Sequence, residues 1–203
     1  LSSSLAVTVT SGNSFFYSPT STVSGTAFTW SRAAVSGISN ASANSTNNIS
    51  ETLINTTASP VNVTYVYTLS ASGCPNPTPY NVVVVVNPTP TLTSTLTPQP
   101  VCSNATFSYN PTSGTAGTVF DWHRPVVAGI SNPEAWGTGN PMEVLINTTT
   151  SVVAVTYIYT LTANGCSNVQ NVVVNVKPEP TVEPVADQDY CNGDAAPETV
   201  LTG

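Results

Sequence analysis

SFFYSPTSTVSGTAFTWSRAAVSGISN, residues 14–40, returns as TFSYNPTSGTAGTVFDWHRPVVAGISN at residues 106–132. The register, a period of 92, runs without a gap to Cys74 and Cys166, and 35 of the 61 aligned positions are identical. ETLINTTASPVNVTYVYTLSASGC (51–74) and EVLINTTTSVVAVTYIYTLTANGC (143–166) carry the second half of each unit. Each then closes on an Asn- and Val-rich stretch and a proline pair, NPTPT (87–91) or KPEPT (177–181). A fixed period reveals architecture before any strand is assigned. The chain therefore divides into repeats at 1–90 and 91–180, with 181–203 as the opening strands of a third repeat or a strand donated to a neighbouring molecule.

Within a unit the hydrophobic period is two. In PVNVTYVYTL, Val61, Val63, Tyr65, Tyr67 and Leu69 share one face while Asn62, Thr64 and Thr68 share the other, the pattern of a half-buried strand. Phe28 and Trp30 alternate in the same way with Thr29 and Ser31. Six or seven short strands in about 90 residues, broken by Gly, Pro and Asn turns, predict an all-β chain of tandem immunoglobulin-like antiparallel sandwiches. Trp30 and Trp122 are the expected core anchors. The Pro-x-Pro junctions withhold amide donors and hold the backbone extended, so the array should be a semi-rigid rod.

Composition narrows the function. Charged residues are 6% of the chain, against roughly 25% in ordinary soluble proteins, while Ser, Thr and Asn fill 76 of 203 positions. Arg32, Arg124 and Lys177 are the only bases. Phosphate binding needs clustered cations, so nucleic acid is excluded as a partner. The longest aliphatic run, Val82 to Val86, is far short of the ~20 residues that cross a bilayer as a helix. No charged-then-apolar signal opens the sequence at Leu1, which suits a mature product or an internal piece.

Few residues suggest chemistry. Asp121 and His123 flank Trp122 at strand spacing and should point to the face opposite the Trp, without a nucleophile or cleft. Glu51 and Glu143 are equivalent, one per repeat, too far apart for paired-carboxylate catalysis; they should either pair with Arg32 and Arg124 or face solvent. Asp187, Asp189 and Asp194 are weak calcium candidates, and no loop signature supports them. Trp136, in the expected loop EAWGTGN, replaces Asn44 of the first unit; it would either stack on a sugar or partner protein, or fold over its own domain edge. Sequons at Asn40, Asn44, Asn48, Asn55, Asn62, Asn104 and Asn147 are glycosylation candidates. An isopeptide bond from Lys177 is disfavoured, since the first unit has Asn87 there. No cofactor is implied.

The GTxFxWxR strands at Gly25–Arg32 and Gly117–Arg124, the SGISN and AGISN turns, the NTT-to-VTYxYTLxAxGC block and the CNGDAAPETVLTG end (191–203) together resemble the PKD-like, immunoglobulin-type repeats of large bacterial surface proteins exported by type IX secretion. The resemblance covers the whole chain. It implies a β-sandwich, an extracellular or cell-surface location, and a role in adhesion or surface architecture without catalytic residues. The expected partners are neighbouring repeats, identical molecules in a fibre, and glycans. The expected function is a non-enzymatic segment of a surface filament, stalk or giant adhesin, with a carbohydrate-binding accessory module as the alternative.

The first unit departs from the second at Thr10, which stands where the second has Cys102. Cys102 opens unit 2 and Cys166 follows its Asn-Gly turn, a placement that would let a disulfide staple an early strand to a late one in an oxidising space. Closing that loop of 64 residues would add about 4 kcal/mol. Buried free thiols, or a Cys74–Cys102 bridge across the junction, are the alternatives. A zinc site is poorly supported, because no C-x-x-C pair exists.

Overall fold

The computed structural model describes residues 1–181 and 191–193. The readings of the tail beyond Thr181, with Asp187, Asp189 and Asp194, fall outside these residues. The first repeat holds β1 (Ala6–Thr10), β2 (Ser14–Tyr17), β3 (Ala27–Arg32), β4 (Ala43–Thr46), β5 (Ile49–Thr52), β6 (Val61–Ala71), β7 (Cys74–Pro75) and β8 (Tyr80–Asn87). The second holds β9 (Val101–Cys102), β10 (Thr106–Phe107), β11 (Val119–Arg124), β12 (Ala135–Thr138), β13 (Glu143–Val144), β14 (Val153–Ala163) and β15 (Cys166–Lys177).

Each repeat is a large sheet facing a two-stranded one. The first large sheet runs β1-β8-β6-β3-β4, with β7 on β6, and faces β2-β5; the second runs β12-β11-β14-β15-β9 and faces β10-β13. Alternation explains the layers. In β6, Val63, Tyr65, Tyr67 and Leu69 are buried as their spacing predicts, and in β8 Val82, Val84 and Val86 are fully buried. Aromatics from the two sheets interlock across the core, Phe15 against Tyr65 and Tyr17 against Tyr67, each pair with ring centroids 5.9 Å apart. Phe107 and Tyr109 repeat the arrangement with Tyr157 and Tyr159. Trp30 and Trp122 are buried, 6% and 8% exposed.

One pairing differs from the all-antiparallel expectation. The first strand runs parallel to the last, β1 beside β8 and β9 beside β15. Because the entering and leaving strands point the same way, a repeat receives the chain at one pole and releases it at the other.

The NTT motif proves to be a clamp. Asn147 is buried; its Nδ2 donates to the carbonyls of Ser151 at 2.8 Å and Val176 at 2.9 Å, and its Oδ1 accepts from Thr149 N and Oγ1 at 2.9 and 2.8 Å. Asn55 makes the same four bonds with Ser59, Val86 and Thr57. The GISN turn closes against it: Gly129, at φ +85°, has Thr149 Cγ2 only 2.7 Å from where a Cβ would sit. Asn55 and Asn147 are therefore corrected from glycan acceptors to structural residues, since a glycan needs the amide nitrogen that each commits to two carbonyls.

Replacing Asn147 by Ala removes its bonds to the Ser151 and Val176 carbonyls and to the Thr149 amide and hydroxyl, of which the bond to Val176 is buried. At about 1–3 kcal/mol for a buried group left without its partner, the Asn147→Ala variant should show a loss of that size in denaturant unfolding. Asn62→Ala, at an exposed position, should change stability by less than about 0.5 kcal/mol.

Candidate functional site

Each sandwich buries one arginine. Arg32 and Arg124 end β3 and β11 on the inward face and are 3% and 1% exposed. The expected glutamates meet them from the opposite sheet. Arg32 Nε and Nη2 donate to Glu51 Oε2 and Oε1 at 3.0 and 2.9 Å, and Arg124 makes the same fork with Glu143, 2.9 Å in both arms. Tyr65 and Tyr157 complete the group by donating to the carboxylates, the latter at 2.7 Å. Such a bidentate pair is a tie between two sheets. Both oxygens of each carboxylate accept from protein donors, the arginine and the tyrosine.

Burial opposes the charge on Glu51 and Glu143, but the hydrogen bonds from Arg and Tyr outweigh it and hold both carboxyls below the usual range. Burial first, then the neighbouring carboxylate, pushes the Tyr65 and Tyr157 hydroxyls well above the ordinary tyrosine range. Burial, then Tyr17 or Tyr109, does the same at Tyr67 and Tyr159.

The second repeat carries an exposed aromatic patch. His123 on β11 and Trp136 on β12 are register partners, and their rings stack at 4.9 Å with planes 10° apart. Trp136 is 64% exposed, and Glu134 Oε2 lies 3.7 Å from His123 Nε2. Trp136 thus stands on an edge strand, not in the loop its sequence suggested. Beside it, a Cβ on Gly137 would come within 2.5 Å of Trp122 Cζ2, so β12 lies flat on the core tryptophan. The first repeat has Ser31, Asn44 and Ser45 at these places. Asp121 is exposed on the same outer face, opposite Trp122 as expected. The patch offers an aromatic platform with a carboxylate at its rim. Among the described residues, no group of three His, Cys, Asp or Glu is placed to hold a metal.

The expected Cys102–Cys166 disulfide is corrected: both are free thiols, as is Cys74. Cys166 begins β15, whereas Cys102 pairs with Lys177 at its far end. Eleven residues of strand at ~3.3 Å each separate them by about 35 Å, against the ~7 Å limit for a bridge. Of the remaining sequons, Asn40 is also engaged, its Nδ2 donating to Thr52 O at 2.9 Å and its Oδ1 accepting from Ile54 N. Asn104 is exposed and donates to Glu179 Oε2 at 2.8 Å. Asn44, Asn48 and Asn62 are exposed. Lys177, also exposed, closes β15.

Removing one partner of a buried ion pair costs about 3–5 kcal/mol, because the other charge stays behind. Glu143→Ala should show a loss of that size in denaturant melts. Stability from both glutamates is complete above their unfolded value near 4.5 and is lost as pH falls through the depressed folded values. At the alkaline end the sign reverses: the raised tyrosines stabilise fully below their unfolded value of 10.0, and that contribution drains away as pH climbs above it. A tyrosinate absorbance titration should therefore find Tyr65, Tyr67, Tyr157 and Tyr159 ionising together with unfolding, and ionisation of all four in the still-folded protein would contradict this.

A model of the PKD-like domain family matches residues 7–90 and again 99–180. No curated protein matches the chain. Among solved structures, an I-band fragment of titin aligns at 13% identity and a TM-score of 0.38, over 85% of this chain and 63% of that one. An endo-fucoidan hydrolase of glycoside hydrolase family 107 aligns at 9% identity and 0.32, over 86% of this chain and 28% of its own. A protein of unknown function from Porphyromonas gingivalis aligns at 7% identity and 0.31, over 86% and 97%. The chain thus spans less than two thirds of the titin fragment. With most of its length matched in two successive units, the chain belongs to the PKD-like domain family.

Proposed function

We propose that this chain is a non-enzymatic structural segment of an extracellular bacterial surface filament, stalk or giant adhesin, whose repeats set distance from the cell. The observation that carries the reading is the parallel pairing of first and last strands in both repeats, which suits a head-to-tail array. The engaged interiors support it too. The buried Arg, Glu and Tyr are spent on each other, and the described residues bring no acid, base and nucleophile together. An antibody raised against the chain should label intact cells of its source; labelling only after lysis would sink the extracellular assignment.

A second reading rests on the platform of Trp136, His123 and Glu134, which suits stacking on the apolar face of a sugar. Under this reading the chain is a carbohydrate-binding accessory module. A glycan array should then give a signal that Trp136→Ala abolishes while thermal stability stays unchanged. Silence of the unaltered chain across the array counts against it.

A further inference from the structure

Four differences between the repeats fall on one face of one sheet. On and beside β3 and β4 the first repeat carries Thr29, Ser31, Ser42 and Asn44, a neutral polar strip, and the second carries Asp121, His123, Glu134 and Trp136 at the same places. His123 and Trp136 are cross-strand partners with stacked rings, so the imidazole covers one face of the indole. β12 is the outermost strand of its sheet, which leaves the other indole face open to solvent.

Carboxylates bracket this stack. Glu134 precedes β12, with its Oε2 3.7 Å from His123 Nε2. Asp121 pairs in register with Thr138, which stands two residues past Trp136 on the same face. From Glu134 to Thr138 is four residues of chain, about 13 Å at the rise of an antiparallel strand. Thr138 and Thr160 are the partners of Asp121 on either side and line the face with hydroxyls.

The charge of the platform selects its ligand. Of the three bases, Arg32 and Arg124 are buried in their forks with Glu51 and Glu143. Lys177 is exposed on β15, but it lies six residues, about 20 Å, beyond Asn171, which shares the cross-strand row of His123. A sulfated or uronic chain would meet two carboxylates there and no lysine or arginine. A neutral sugar would use the indole alone. A sugar bearing an ammonium uses both, because the cation is drawn to the π face of the indole and to the carboxylates beside it.

We propose that the outer face of β11 and β12 binds a polymer of amino sugars with free amines, one pyranose ring stacked on Trp136 and ammonium groups held by Glu134 and Asp121. This rests on the carbohydrate-binding reading above and names the charge class of its ligand. The threonine hydroxyls beside the indole suit a sugar, with many hydroxyls to pair, better than a lysine side chain, which has none.

The test titrates the full chain by calorimetry with a glucosamine hexamer and with the same hexamer N-acetylated, at a pH where the amines are protonated and the carboxylates ionised. The free-amine hexamer should bind about tenfold more tightly, as an exposed cation–π contact and a charge pair together supply. Added salt should narrow the gap. Trp136→Ala should abolish binding of both, and Glu134→Gln with Asp121→Asn should bring the two hexamers to one affinity, in variants whose thermal melts match the parent. Equal affinity of the unaltered chain for both hexamers would overturn the amine preference and leave the carbohydrate reading standing. Binding of neither overturns the proposal, and the carbohydrate reading falls with it only if the glycan array is silent too. A preference that persists in the carboxylate variant marks general attraction to a chain of net charge −7 and overturns the site. A lysine hexamer that displaces the sugar at equal concentration would overturn it in favour of a cationic peptide.

Discussion

An arginine sealed inside a sandwich is tolerable only if a carboxylate reaches it from somewhere, and here it comes from the facing sheet. Arg32 and Glu51 sit on different sheets, as do Arg124 and Glu143, so the two-armed contact fixes how the small sheet lies on the large one. A hydrophobic pair could fill the same volume at no loss of stability. The fork adds direction, because five fixed donors accept one orientation of the glutamate. The aromatic pairs around it then find their partners in a frame already set, with Trp30 edge-on to Tyr65 at 5.3 Å. In a chain whose charged residues are 6% of the total, spending Arg and Glu inside both repeats marks these pairs as part of the fold.

Much of this was legible because the repeat supplies its own comparison. Positions held in both units, such as Trp30 and Trp122 or Glu51 and Glu143, announced a common framework, and the period of two placed Tyr65 and Tyr67 inward. The clamp was hidden for a chemical reason. Asn-Thr-Thr reads equally well as a glycan acceptor and as an Asx turn, and the choice depends on which carbonyls arrive from β8 or β15, over 28 residues away in sequence. Periodicity carries no information about such distant acceptors.

The disulfide failed for a geometric reason. Cys102 in an early strand and Cys166 in a late one invite a bridge only if the strands meet near those residues. Parallel pairing instead brings the start of the repeat alongside the end of β15, leaving Cys166 at the opposite pole. Sequence spacing cannot distinguish parallel from antiparallel neighbours here. The burial of Cys166 has another origin, the preceding linker, and the exposure of Trp136 depends on an edge strand flattened by Gly137 against Trp122.

Parallel entry and exit also decide how such a repeat would carry tension. Pulling the ends apart draws β1 and β8 past each other along their length, so the bonds of the ladder are loaded together and not one at a time. The first repeat registers five residue pairs in that ladder, Ala6 to Thr10 against Val83 to Asn87, while the second registers two, Val101 and Cys102 against Val176 and Lys177. Pro98 and Pro100 account for the shortfall, since proline has no amide to give a ladder. In the second repeat the Asn147 clamp ties the β13–β14 connection to Val176, one residue from the end of β15, next to the short ladder. The two repeats thus share one topology and one asparagine clamp, Asn55 on Val86 and Asn147 on Val176, and differ in the ladder beside it, five registered pairs in the first and two in the second.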